Sequence, residues 1–343
     1  MMNIVSLRQG IENIDEIKVI GKSFVFEDVK YHFMGFVRSG SAVTAILLAY
    51  DEQLREKREA EEERLLEEYD LDEVQSLTVR EEERVDINTA EHYMSVRKIF
   101  SGKTEYLIGA GEGWSPSHQP VYEYAPMFFE FIKSGWKADD MEYVSFEYLH
   151  IMKCTLMDEF ETVPDFDADN ISLEVFPEIK RTLAEIPLML EIGAEPFEIC
   201  LGDGETVYFD SVSLVDMREE MSKTFDSDRM KAMLPAEKIA EMKENFEKEF
   251  SKECPGDKYY ISAEYECKKE TSLRVYLKDV LDKPRKEKNS SMAFIVKSDR
   301  APKRDGLFIK TAIIDEPFDK ETKMVEAEIF SVQKMPEKTI IIL

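Results

Sequence analysis

Residues 17–50 read IKVIGKSFVFEDVKYHFMGFVRSGSAVTAILLAY, and residues 51–69 continue as DEQLREKREAEEERLLEEY. The first stretch is rich in Val, Ile, Phe and Tyr and is broken by Gly21, Gly35 and Gly40, the composition of β-strands separated by turns. It predicts an antiparallel meander running through IKVI, SFVFEDV, KYHFMGFV and AVTAILLAY. The second stretch holds strong helix formers with no Gly or Pro, and Arg55 and Glu59 form an i,i+4 pair of opposite charge. Its apolar positions, Leu54, Leu65, Leu66 and Tyr69, are too few for a buried face, so residues 51–69 are read as a solvated, charged helical arm. A run of strands that gives way to helix, without strict alternation, indicates an α+β chain.

The rest of the chain extends this reading. Pro126 and Gly135 bracket the apolar MFFEFI as the start and stop of a helix. A second helix is expected from Asp139 or Asp140 to Phe160, because Met141, Val144, Leu149, Met152, Leu156 and Phe160 recur every three to five residues. Residues 164–170 (PDFDADN) read as an acidic, turn-forming linker, and Pro177 opens a further helix over EIKRTLAEI. PFEICLGDGETVYFDSV reads as a hairpin around Gly202, Asp203 and Gly204, and Pro235 precedes an amphipathic helix with Ile239, Met242, Phe246 and Phe250 on one stripe. From Lys258 onward the period becomes two, with Ile261, Ala263, Tyr265 and Cys267 on one side of a strand, and further strands are expected at MAFIV, GLFIKTAII, KMVEAEIFSV and TIIIL. The expected organisation is therefore an N-terminal α+β domain over 1–164 with antiparallel strands, an acidic helix and hairpin segment over 165–256, and a strand-rich antiparallel module over 257–343.

The chain has 343 residues, enough for two or three domains with cores of their own. Its longest apolar run near the N-terminus, Ala42–Tyr50, is too short to span a bilayer, and no membrane association is expected. Cys154, Cys200, Cys254 and Cys267 fit neither a zinc motif nor a disulfide framework and are read as reduced thiols, consistent with a cytoplasmic location. The net charge is −27, of which −18 lies in residues 139–220, while residues 268–343 carry +4. A field of this sign repels nucleic acid and anionic membrane and steers a basic partner. The positive charge gathers in two loops, Lys283, Arg285, Lys286 and Lys288, then Arg300, Lys303 and Arg304. These are read as docking against an acidic surface, either of a partner or of the chain's own 139–220 segment.

Three constellations bear on chemistry. Gly109, Gly111 and Gly113 follow a short apolar strand and loosely resemble the first motif of nucleotide-binding and methyl-transfer folds, yet Trp114 to Pro120 cannot begin the helix that motif needs. The same loop, 109–120, holds Ser115 and His118, a nucleophile and general base if a third group orients them. Asp165, Asp167 and Asp169 have the alternate spacing that opens a calcium loop, but Asn170 and Phe176 stand where an EF-hand requires Gly and Glu. His32, His92, His118 and His150 form no zinc-ligand pair, and no cofactor is indicated. The favoured expectation is a protein-binding or regulatory protein that engages a protein partner through its acidic surface. The alternatives are an enzyme centred on the 109–120 loop and an antagonist that imitates nucleic acid.

Overall fold

The computed structural model describes residues 12–68, 77–115, 124–254, 256–285 and 300–343. The expected strand MAFIV, residues 292–296, lies outside the described residues. The fold is α+β, with an antiparallel N-terminal sheet, helices through the middle and antiparallel sheets at the C-terminal end. Two compact units divide the chain: unit 1 takes residues 1–64, 88–179 and 336–343, and unit 2 takes 65–87 and 180–335. These units do not follow the linear division expected from the sequence, because each is assembled from separated stretches.

Unit 1 opens with the expected meander, β1 (Glu16–Phe26), β2 (Val29–Ser39) and β3 (Ala42–Tyr50). With β4 (Ser95–Ser101), β5 (Thr104–Trp114), β6 (His150–Leu156), β7 (Ile171–Phe176) and β15 (Thr339–Ile342) it forms one antiparallel sheet in the order β1-β2-β3-β6-β5-β4-β7-β15. Phe33 and Leu47 share one hydrophobic cluster with Ile99 and Leu173 from the far half of this sheet. Met34, Ile46, Leu48 and Ile151 point to the opposite face, where Phe128, Phe131 and Trp136 cover them. Burial on both faces explains why β3 reads as a nearly unbroken apolar run. Gly35, at φ +146°, lets β1 pass close by, since a Cβ there would stand 2.1 Å from the Lys18 carbonyl oxygen.

Unit 2 places two antiparallel sheets over one core. The first has the order β13-β11-β10-β9, built from β9 (Phe197–Cys200), β10 (Thr206–Val215), β11 (Lys258–Cys267) and β13 (Phe308–Asp319). The second has the order β12-β14-β8, from β8 (Lys180–Glu191), β12 (Thr271–Leu277) and β14 (Met324–Lys334). Phe209, Ile261 and Tyr265 of the first sheet meet Leu190, Val275 and Ile329 of the second. Helices cover the outer faces. Phe250 of the helix Ala236–Glu253 packs with Tyr260, and Val79 and Ile87 of the helix Val79–Asn88 pack around Phe330.

Four local expectations are corrected. Residues 139–160 are two short 3-10 turns, Asp139–Met141 and Phe146–Tyr148, followed by β6; pairing of β6 with both β3 and β5 overrides the helical spacing. The stretch after Pro177 is β8, an edge strand whose pairing with β14 tolerates Pro187. Residues 164–170 are no linker: Phe166 is buried and stacks on Phe36 at 3.7 Å, and the Asp167 N–H donates to Ser101 Oγ at 2.9 Å. The charged helix, Glu52–Glu68, is anchored rather than free, because Leu54 enters the unit 1 core and Arg58, one turn on, bonds Glu91 at 3.0 Å. The TIIIL strand forms as expected but joins β7 of unit 1 instead of the C-terminal module.

Replacing Phe166 with Ala is expected to destabilise the protein by about 3 to 5 kcal/mol, the cost of deleting a buried ring. The check is the urea unfolding midpoint; a shift worth under about 0.5 kcal/mol would mean that the segment behaves as exposed surface.

Candidate functional site

The three glycines lie within β5, not in a loop. A Cβ at Gly113 would stand 2.5 Å from His150 Nε2, and one at Gly109 would stand 3.1 Å from Met157 Cα, whereas Gly111 faces open space. Gly109 and Gly113 thus allow neighbouring protein groups to approach β5, which is a structural use of the residue type a ligand cradle also needs. Ser115 follows β5 directly and is buried. Its hydroxyl donates to Glu91 Oε1 at 2.9 Å and lies 3.4 Å from His150 Nδ1. His150 Nδ1 is 3.2 Å from Glu91 Oε2, and its ring stacks on Tyr93 at 4.1 Å.

Serine, histidine and glutamate are therefore in contact, but not as a catalytic relay. In a relay one imidazole nitrogen serves the hydroxyl and the other serves the carboxylate. Here Nδ1 faces both, and Nε2 is packed against Gly113. Glu91 is the hub: it accepts from Ser115 at the end of β5, from Arg58 of the charged helix and from His150 at the start of β6. Burial pushes the Glu91 carboxyl up, and the His150, Ser115 and Arg58 contacts outweigh it and hold the group down at about 2. His118, the expected general base, lies outside the described residues. Sequence spacing gave no sign of Glu91 or His150 as partners of Ser115, because they are 24 and 35 residues away.

The alternate aspartates do not converge. Asp165 pairs with Lys18 at 2.7 Å and Asp169 with Lys22 at 3.4 Å, while Asp167 accepts from the Asp169 N–H at 3.1 Å in a local turn. Among the described residues no group of three or more His, Cys, Asp or Glu could hold a metal ion. No described helix is long and apolar enough to cross a membrane.

The basic loops are occupied within unit 2. Arg300 and Lys303 reach Asp210 at 3.0 and 3.2 Å, and Arg304 reaches Glu266 at 2.9 Å while its guanidinium lies 4.0 Å from the Tyr208 ring. The side chains of Asp210 and Glu266 are 0% exposed. Register slips between Phe209 and Ser211 where β10 pairs with β11, and Asp210 sits at that bulge. Burial works against the charged form of Asp210, yet Lys303 and the neighbouring cations hold its carboxyl below the ordinary range. Lys283 pairs with Asp279 at 3.3 Å, and Arg285 with Glu82 at 2.7 Å and Glu83 at 3.2 Å. Lys286 and Lys288 lie outside the described residues.

In comparisons with known proteins, no family model, no curated protein and no solved structure matches the chain. Its surface has to be read from its own chemistry.

The helix Ala125–Lys133 of unit 1 and the turns after it expose large apolar groups and acid. The helix Ala125–Lys133 buries Met127, Phe128 and Phe131 but leaves Phe129 and Ile132 61% and 59% exposed. The turns that follow expose Tyr143 at 95% and Phe146 at 40%, and the Phe146 ring meets Phe128 edge-on at 5.0 Å. Asp139, Asp140, Glu142 and Glu147 are exposed in the same segment. Asp140, Glu142 and Glu147 make no ion pair among the described residues. The sequence held a signal for this exposure, since MFFEFI carries more large apolar groups than one helix face can bury.

The depressed Glu91 carboxyl contributes stability above the unfolded value of about 4.5, and that stability is lost as pH falls towards about 2. Wild-type protein is expected to exceed Glu91→Gln by on the order of 2 to 3 kcal/mol near neutral pH, with the gap closing between about pH 5 and pH 2. Urea unfolding of both proteins across that range checks it, and a pH-independent gap would contradict it.

Proposed function

We propose that this chain is a cytoplasmic interaction protein that binds a basic protein partner through its acidic surface. The observation that carries the reading is the segment 139–148, where Asp140, Glu142 and Glu147, without an ion pair among the described residues, accompany exposed Tyr143 and Phe146, while the helix Ala125–Lys133, whose Phe128 meets Phe146, exposes Phe129 and Ile132. Apolar groups of this size left in water, with charge of one sign around them, suit association with a surface of the opposite sign. The occupied basic loops support the same reading. Arg300, Lys303 and Arg304 answer the buried Asp210 and Glu266, so they do little to offset the outward acidic field or to grip phosphate. The cytoplasmic assignment draws on four cysteines that are free thiols, three of them buried.

The test is native mass spectrometry of the protein recovered from its source lysate at low and high salt, repeated with Phe129→Ser combined with Tyr143→Ala. The expected result is a stoichiometric partner of basic composition that dissociates between about 50 and 500 mM salt and is lost from the double variant. A partner held equally by the variant, or no salt-sensitive partner, would overturn the reading.

A further inference from the structure

We propose that unit 2 binds a small zwitterion in the groove between the helix Val79–Asn88 and the sheet β12-β14-β8, with Arg274 receiving its oxyanion and Asp86 its ammonium group. The groove has a volume of about 540 Å³, within the range of small-molecule sites. Leu77 and Val85 give it an apolar wall. Its charged lining is three arginines and three acids, and most of these satisfy one another. Glu82 pairs with Arg285 at 2.7 Å, and the buried Glu83 accepts from Tyr276 at 2.9 Å, Arg285 at 3.2 Å and Arg181 at 3.4 Å. Arg274, whose guanidinium lies 6.0 Å from the Tyr276 ring centroid, and Asp86 stand outside this network. Both are exposed, both line the groove, and neither forms an ion pair among the described residues. One unpaired cation and one unpaired anion facing the same space define a ligand that carries both charges.

The backbone supplies a second, independent observation. Register slips on both sides of Phe330: against β12, Phe330 is an extra residue of β14 opposite Arg274 and Val275, whereas against β8 the extra residue belongs to β8, whose Ala184 and Glu185 stand opposite Phe330. The bulge buries Phe330 under the helix, beside Val79, Ile87 and Leu281. On β8, Glu185 takes the left-handed φ of +49° within the slipped stretch and is held there by Arg84 at 2.6 Å. Bulges of this kind re-aim side chains next to binding sites, and a non-glycine residue at positive φ persists only where its surroundings enforce it. Arg274 stands at the point where the register changes. Glu82, Glu83 and Asp86 around it weigh against a polyanion, which favours a ligand with a single oxyanion. That oxyanion is a carboxylate, as in an amino acid or short peptide, or a phosphate, as in an aminoalkyl phosphate.

The inference is independent of the partner-binding reading, which concerns residues of unit 1. Isothermal titration calorimetry of the full chain uses glycyl-leucine and phosphoethanolamine as zwitterions, with acetate and ethylamine as half-ligands. One zwitterion at least is expected to bind at one-to-one stoichiometry, and which one binds identifies the oxyanion. The half-ligands are expected to bind at least about tenfold more weakly, as are Arg274→Gln and Asp86→Asn towards the zwitterion. Arg274→Lys, which keeps the charge and loses the planar fork, is expected to fall between. The exposed residues involved allow these variants to fold, and an unchanged melting midpoint confirms it. Failure of both zwitterions to give saturable binding, or affinity unchanged in both charge variants, would overturn the proposal. So would an equal loss from Lys320→Gln, a change of the same charge on the loop after β13.

Discussion

Asp210 and Glu266 carry carboxylates into the interior of unit 2, and a charge withdrawn from water has to be met by an opposite charge. That requirement draws the loop of Arg300, Lys303 and Arg304 back over β10 and β11. The same rule recurs elsewhere. Glu83 is met by Arg181 and Arg285, and Glu91 by Arg58 and His150. The chain has 45 Lys and Arg against 72 Asp and Glu, so cations committed to buried acids are unavailable to the surface. Each such pair withdraws an acid together with a base, so the excess of acid over base, a net −27, is left to the remaining residues.

What the sequence revealed depended on the range of the interaction that decides each element. The meander of β1, β2 and β3 was legible because its glycines and β-branched residues act locally, and so were the hairpin of β9 and β10 and the helix after Pro235. The stretch 139–160 was misread because apolar residues buried on two faces of a central strand mimic the spacing of a helix. β8 was misread for a different reason: its helix-forming residues are overruled by pairing with β14, more than 130 residues away in sequence. The candidate sites follow the same rule. Arg300, Lys303 and Arg304 stood out as a cluster, but their partner Asp210 is about 90 residues distant and sits at a bulge that no local pattern announces. Ser115 was singled out beside His118, whereas the structure sets it against Glu91 and His150.

The closing strand of unit 1 has a further consequence for how the protein is made. β7 is completed by β15, residues 339–342, which leave the ribosome only after residues 180–335 of unit 2 have been synthesised. Until then the backbone amides and carbonyls of Ile171–Phe176 on that side form an unpaired sheet edge, a template open to any extended chain nearby. Unit 1 is therefore begun first and finished last. Vectorial synthesis leaves its β7 edge dependent on a late, short strand or on temporary cover by a chaperone.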